Sequence, residues 1–129
     1  MYCYLVVERA MEAHALFWQL HHQITVGREP RCDIVLASAT ASRRHALFTT
    51  QNGTPQVADL SANQLTFVNG QRLRTRMAVP LDHGDTVGFG PDGDEICYRV
   101  IQRSRPLTRV LDLFEDLEQK DHLSPVLAA

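Results

Sequence analysis

Residues 45–58 read His45-Ala46-Leu47-Phe48-Thr49-Thr50-Gln51-Asn52-Gly53-Thr54-Pro55-Gln56-Val57-Ala58. Apolar and polar side chains alternate up to an Asn-Gly pair, and a second β-rich run follows. A period of two sends neighbouring side chains to opposite faces of a strand. Asn-Gly accepts the positive φ that a tight two-residue turn imposes. The stretch therefore predicts a β-hairpin, and the rest of the chain repeats the pattern.

Upstream, Tyr2–Val7, Ala15–Leu20, Ile24–Val26 (stopped by Gly27) and the short Ile34–Leu36 read as strands. Downstream, Thr66–Val68 leads to a second Asn-Gly turn at Asn69-Gly70. Met77–Leu81, Thr86–Phe89 and Ile96–Ile101 follow, with His83-Gly84-Asp85 and the Pro91–Asp94 segment as turns. Ten to eleven short strands at close spacing predict an all-β fold, a β-sandwich. Trp18, Phe17 and Phe48 are expected in its core.

Past residue 103 the period changes. Ser104-Arg105-Pro106 can cap and open a helix. Leu107, Val110, Leu111, Phe114 and Leu117 then keep helical spacing, with Asp112, Glu115, Asp116 and Glu118 on the other face. The expected division is a sandwich over residues 1–103 and a C-terminal amphipathic α-helix with a loose tail over 104–129. The apolar stripe would pack on the sandwich or meet a partner, including a second copy of the chain.

A chain of 129 residues, 44% apolar and 22% charged, has the size and composition of one globular domain. No apolar run reaches the ~18 residues of a membrane span, and the N-terminus lacks the basic start of a secretion signal. Three widely spaced cysteines, Cys3, Cys32 and Cys97, with no CxxC pair fit a reducing cytoplasm better than a disulfide scaffold. Metal and cofactor sites are not expected. His21 and His22 are adjacent, and on a strand they would face opposite ways.

The net charge of −2 disfavours a nucleic-acid binder, but it hides a division. Residues 28–76 hold seven arginines against Glu29, Asp33 and Asp59, whereas residues 77–98 hold five acids and no base. Twelve of the thirteen basic residues are Arg, the side chain suited to bidentate grip on phosphate or carboxylate. A local anion site is expected on loops at one end of the sandwich. Four fragments are candidates to build it: Gly27-Arg28, Ser42-Arg43-Arg44-His45, Asp59 to Gly70, and Gly84-Asp85. Arg28 follows a strand-ending Gly, Ser42 offers a hydroxyl, and His45 at i+3 can pin the Ser42 loop. Asn63, Gln64 and Asn69 offer amides for a peptide backbone or a turn. Ser42 and His45 lack a third orienting group and an oxyanion hole, and no Walker or dinucleotide fingerprint occurs, so an enzyme is not expected.

Taken in order, Gly27-Arg28, Asp33-Ile34-x-Leu36, Ser42-Arg43-Arg44-His45-Ala46, Asp59-Leu60 to Thr66-Phe67-Val68-Asn69-Gly70, and Leu81-x-x-Gly84-Asp85-x-Val87 resemble a forkhead-associated (FHA) domain. The resemblance covers about Leu5 to Ile101. It implies a sandwich that binds phosphothreonine peptides through edge loops. Arg28 and Ser42 would hold the phosphate, Arg43 would border it, and Gly27, His45, Asn69 and Gly70 would be structural. Similar domains carry Ser-x-Asn-Gly-Thr where this chain has Ser61-Ala62-Asn63-Gln64-Leu65-Thr66. By backward count from Asn69-Gly70, Gln64 takes the Asn position. By Ser-x-Asn, Asn63 keeps it with a one-residue bulge, the reading slightly preferred.

The expected function is a phosphothreonine-binding signalling module in a bacterial Ser/Thr-kinase pathway, docking a phosphorylated partner protein in the cytoplasm. The alternative is a phosphate-independent scaffold or oligomerisation subunit, with self-association through Leu107, Val110, Leu111, Phe114 and Leu117.

Overall fold

The structure is a computed structural model that describes residues 2–9, 17–91, 93 and 96–107. These residues form eleven strands: β1 (Tyr2–Arg9), β2 (Phe17–Gln19), β3 (Ile24–Gly27), β4 (Ile34–Val35), β5 (Ala46–Gln51), β6 (Thr54–Asp59), β7 (Thr66–Val68), β8 (Gln71–Arg72), β9 (Val79–Pro80), β10 (Thr86–Phe89) and β11 (Ile96–Arg103). They divide into a six-stranded sheet, ordered β2-β1-β11-β10-β7-β8, and a five-stranded sheet, ordered β4-β3-β5-β6-β9. The all-β sandwich expected from the sequence is the observed architecture. The predicted C-terminal helix, with Val110, Leu111, Phe114 and Leu117, lies outside the described residues.

The hairpin turns follow the dipeptides that predict them. Asn52 and Gly53 have φ of 52° and 79°, and Asn69 and Gly70 have 51° and 79°, the paired left-handed geometry of a type I′ turn. The first joins β5 to β6 in unbroken register from Ala46↔Asp59 to Gln51↔Thr54. The second joins β7 to β8, a two-residue strand the sequence reading did not contain.

The core lies between the sheets. Leu5, Val26, Phe48, Val57, Leu81, Val87 and Val100 are fully enclosed there, and Trp18 packs partly buried against them. β1 is apolar at almost every position because both of its faces are covered. Cys3 and Leu5 point into the main core, while Tyr4 and Val6 join Ile101 in a second cluster. Leu107 sits on that second cluster, and its N–H donates to the Tyr4 hydroxyl at 2.9 Å. The chain leaving β11 is thus fastened to its own outer sheet face at the first residue of the predicted stripe.

His21 and His22 depart from expectation. They sit in a bend between β2 and β3 rather than in a strand, and their rings lie 4.0 Å apart. A bend removes the alternation that would have separated them. No group of three His, Cys, Asp or Glu able to hold a metal occurs among the described residues, and none of their helices is long and apolar enough to cross a membrane.

Candidate functional site

Strand directions in the five-stranded sheet decide which loops meet. β3 ends at Gly27, β5 begins at Ala46 and β6 ends at Asp59, with Val26 opposite Ala46 and Ala46 opposite Asp59. Arg28, the 42–45 segment and the Leu60–Leu65 loop therefore emerge at one end of the sheet. Direct bonds lock them together. The Arg28 N–H donates to the Ser42 carbonyl at 2.9 Å, and the Glu29 N–H to the Arg43 carbonyl at 3.2 Å.

Gly27 is required by that closeness. A Cβ built there would stand 2.1 Å from the Arg43 carbonyl oxygen and 3.0 Å from the Arg44 Cα. Neither neighbour is a flexible side-chain tip, so the backbone would have to move.

Ser42 is held from three directions. Its N–H donates to His45 Nδ1 at 3.2 Å, its carbonyl takes the Arg28 N–H, and its hydroxyl oxygen accepts the Ala62 N–H at 3.1 Å. The hydroxyl keeps its own proton to give to an incoming acceptor. His45 is 1% exposed. Because Nδ1 accepts, Nε2 carries the ring proton, and it donates to the Leu65 carbonyl at 3.0 Å. The imidazole thus spans the Ser42 loop and the 60–65 loop. Its Nδ1 faces the Ser42 main chain rather than the hydroxyl, so the geometry does not present His45 as a general base for Ser42.

Below the 60–65 loop lies a hub that the sequence reading named only as part of a motif. Asp59 is fully buried, and its Oδ1 accepts from the Ser61 N–H at 3.3 Å, the Ser61 hydroxyl at 2.7 Å and the Thr66 hydroxyl at 2.6 Å. The Ser61 hydroxyl oxygen in turn accepts the Leu65 N–H at 2.8 Å. The spacing Asp59-x-Ser61…Thr66 was the available signal. Asn63 and Gln64 are exposed at the loop tip, with Gln64 at φ 56°. Leu65 is buried, and the β7–β10 ladder that follows has no register break. The left-handed residue is therefore Gln64, a conformation costing a non-Gly residue roughly 1–2 kcal/mol, and the Ser61–Leu65 bond helps to hold it.

Asn69, at the far end of β7, braces its own six-stranded sheet by tying β7 to the start of β10. Its side-chain oxygen accepts the Thr86 N–H at 3.0 Å, and its amide donates to Asp85 at 3.0 Å. Asp85 also accepts the Asp82 N–H at 2.7 Å.

The surface at the loop end is cationic. Arg28 and Arg43 are exposed and, with Glu29 and Pro30, line an open cleft of about 330 Å³. Neither has an acidic partner among the described residues, whereas Arg44 lies 3.9 Å from Glu29. Beside them, burial first and the Glu29 carboxylate second push the Cys32 thiol above its ordinary range.

Fold and site together define a class: a two-sheet β-sandwich that presents a serine hydroxyl and exposed arginines on interlocked loops at one end. The family model of the FHA domain matches residues 24–90, and the chain belongs to that family. It is 40% identical over 86 residues to the oxoglutarate dehydrogenase inhibitor of Corynebacterium diphtheriae, covering 67% of this chain and 58% of the relative. It is 36% identical over 86 residues to the glycogen accumulation regulator GarA of Mycolicibacterium smegmatis, covering 67% and 52%. The chain thus spans little more than half the length of these relatives. Among solved structures, EmbR of Mycobacterium tuberculosis in complex with a low-affinity phosphopeptide superposes with a TM-score of 0.65 at 26% identity, over 82% of this chain and 26% of that one.

Proposed function

We propose that this chain binds phosphothreonine-containing segments of a partner protein and acts as a regulatory docking module, not as an enzyme. Arg28 and Ser42 donate to the phosphate, and Arg43 borders it and adds to the field. Asn63 and Gln64 supply amides for the peptide main chain. Gly27, His45, Asn69 and Gly70 shape the loops. The carrying observation is the fixed pairing of Arg28 with Ser42: the backbones are bonded at 2.9 Å, and the serine hydroxyl is already oriented by Ala62. Such preorganisation lowers the ordering cost of binding.

A phosphate dianion offers three strong acceptor oxygens, and each hydrogen bond to a charged group contributes about 1.5–3 kcal/mol. Two or three such bonds with main-chain contacts correspond to micromolar affinity, about −8 kcal/mol. The FHA family match and the regulatory names of the relatives support this reading. So do three widely spaced cysteines with no CxxC pair, for the cytoplasm. A Ser/Thr kinase would make the ligand, and the bacterial relatives agree with a bacterial setting.

The test is calorimetric titration of a degenerate phosphothreonine library against its unphosphorylated twin. Selective binding that falls roughly 10–100-fold in Arg28→Ala is expected from the loss of one charge-assisted bond. Equal binding of both libraries would overturn the proposal and select a phosphate-independent scaffold, a reading motivated by Gln64 and Leu65 in a loop where similar domains carry Gly. Self-association would rest on Val110, Leu111, Phe114 and Leu117, because Leu107 is occupied on its own sheet. Light scattering of the full chain measures it.

A further inference from the structure

We infer that the outer face of the six-stranded sheet is the seat of the chain's own C-terminal apolar stripe, with Val110, Leu111, Phe114 and Leu117 lying over Tyr4, Val6 and Ile101. This does not rest on the phosphothreonine reading, whose loops emerge from the other sheet.

Pairing puts Tyr4, Val6 and Ile101 on one side. Tyr4 stands opposite Ile101, and Val6 opposite Arg99. With a period of two, Cys3, Leu5 and Val100 face the core while Tyr4, Val6 and Ile101 face away from it. A sheet face turned from the core is commonly polar and solvated. This one is neither, since Tyr4 is 2%, Val6 1% and Ile101 0% exposed. Among the described residues, the apolar side chain packed on this cluster is Leu107, itself half-buried. One leucine does not shut three side chains from water, so a further apolar layer must cover them.

The path of the chain leads that layer to the right place. β11 ends at Arg103, opposite Tyr2. A bend at Ser104-Arg105 follows, and the Leu107 N–H then bonds the Tyr4 hydroxyl at 2.9 Å. The chain has therefore turned back over the outer face instead of leaving it. Val110, Leu111, Phe114 and Leu117, outside the described residues, continue the helical spacing from Leu107. With Leu107 seated, the same stripe carries its next turns over Ile101 and Val6.

Dimensions and charge agree. A helix from Leu107 to Leu117 rises about 15 Å. β1 and β11, of eight residues each, offer roughly 26 Å of face at ~3.3 Å per residue. On this side of β11, Arg99 pairs with Glu8. Arg103, two residues past Ile101 on the same side, is half-buried and suits a segment that carries Asp112, Glu115, Asp116 and Glu118. A helix this short is marginal alone in water, and the sheet face supplies the apolar surface that holds it.

The experiment uses the full chain with isotope-labelled methyl groups and aromatic rings, and it reads nuclear Overhauser contacts from Val6 and Ile101. Contacts to Leu111 and Phe114 are expected, and they should persist on dilution. Leu111→Ser/Phe114→Ser should abolish them and lower the melting temperature by about 5–15 °C. Asp112→Asn/Asp116→Asn, on the side away from the stripe, should keep the contacts and melt within about 2 °C of wild type. Val6 and Ile101 without contacts to residues 110–117, or a melting temperature unmoved by the serine pair, would overturn the inference. Contacts seen only between differently labelled copies would assign the stripe to a second copy and overturn it too. If the serine variant does not fold, the wild-type contacts decide alone.

Discussion

His45 holds Ser42 by its main chain, accepting the Ser42 N–H on Nδ1 at 3.2 Å, while Nε2 donates to the Leu65 carbonyl twenty residues further on. One buried ring therefore fixes two loops of the cationic site without touching its surface. Its face also meets Phe89 edge-on, with centroids 5.5 Å apart, so the brace is packed as well as bonded.

Positioning and contact should consequently separate by mutation. His45→Ala leaves a cavity and two unpaired groups, and it should cost about 2–4 kcal/mol in urea denaturation. Arg28→Ala removes an exposed side chain and should stay within ~0.5 kcal/mol of wild type. A large stability loss in Arg28→Ala, or none in His45→Ala, would show that the loops are held differently.

Gly27→Ala should act through the backbone. The new Cβ would overlap the Arg43 carbonyl at 2.1 Å, so the Arg28–Ser42 and Glu29–Arg43 bonds must lengthen. A loss above about 2 kcal/mol is expected, in the range of other strained or overpacked substitutions. Loss of phosphopeptide binding should accompany it. A variant with unchanged melting temperature would show that the 43–44 backbone yields easily.

At Asp59 the two carboxylate oxygens are unequal. Oδ1 takes three donors, whereas Oδ2 is buried with no hydrogen-bond partner among the described residues. Asn can keep the acceptor and remove a buried charge, so Asp59→Asn should be tolerated within ~1.5 kcal/mol. Asp59→Ala strands Ser61 and Thr66 and should cost about 2–4 kcal/mol. Equal damage from both would mean that the charge itself holds the hub.

Alkaline pH offers an independent check on the core. Burial pushes the Tyr98 phenol up from 10 to about 12. The unfolded chain releases that proton first, so the stabilising effect is intact below pH 10 and is lost as pH rises from 10 to 12. The full effect is on the order of 2–3 kcal/mol. Denaturation midpoints should fall across that window, and Tyr98→Phe should flatten the fall. An unchanged slope in Tyr98→Phe would place the titration elsewhere.

What the chain declares locally was legible without a structure. Asn52-Gly53 and Asn69-Gly70 announce turns because positive φ is a property of those residues themselves. The periods of β5 and β6 give strands because facing is a neighbour relation. The segregation of arginines from acids is likewise read off directly. Of the fragments that resemble an FHA domain, Gly27-Arg28, the 42–45 segment and the stretch from Asp59 to Thr66 lie at the observed loop end, whereas Asn69-Gly70 and Gly84-Asp85 meet at the far end of β7 and take no part in the site. β8 was missed because Gln71–Arg72 pairs only by virtue of the Asn69-Gly70 turn, with no apolar signal of its own. The His21–His22 contact was missed because a bend, not a strand, carries the pair.

Other relations were settled by tertiary structure. That Ala62 holds the Ser42 hydroxyl and that Gln64 rather than Leu65 is left-handed depend on strand order and on the buried Asp59 hub. The physical reason is distance along the chain. Turn type and period arise from interactions over a few residues, whereas the site is assembled from residues 28 to 65, joined by bonds no local pattern encodes.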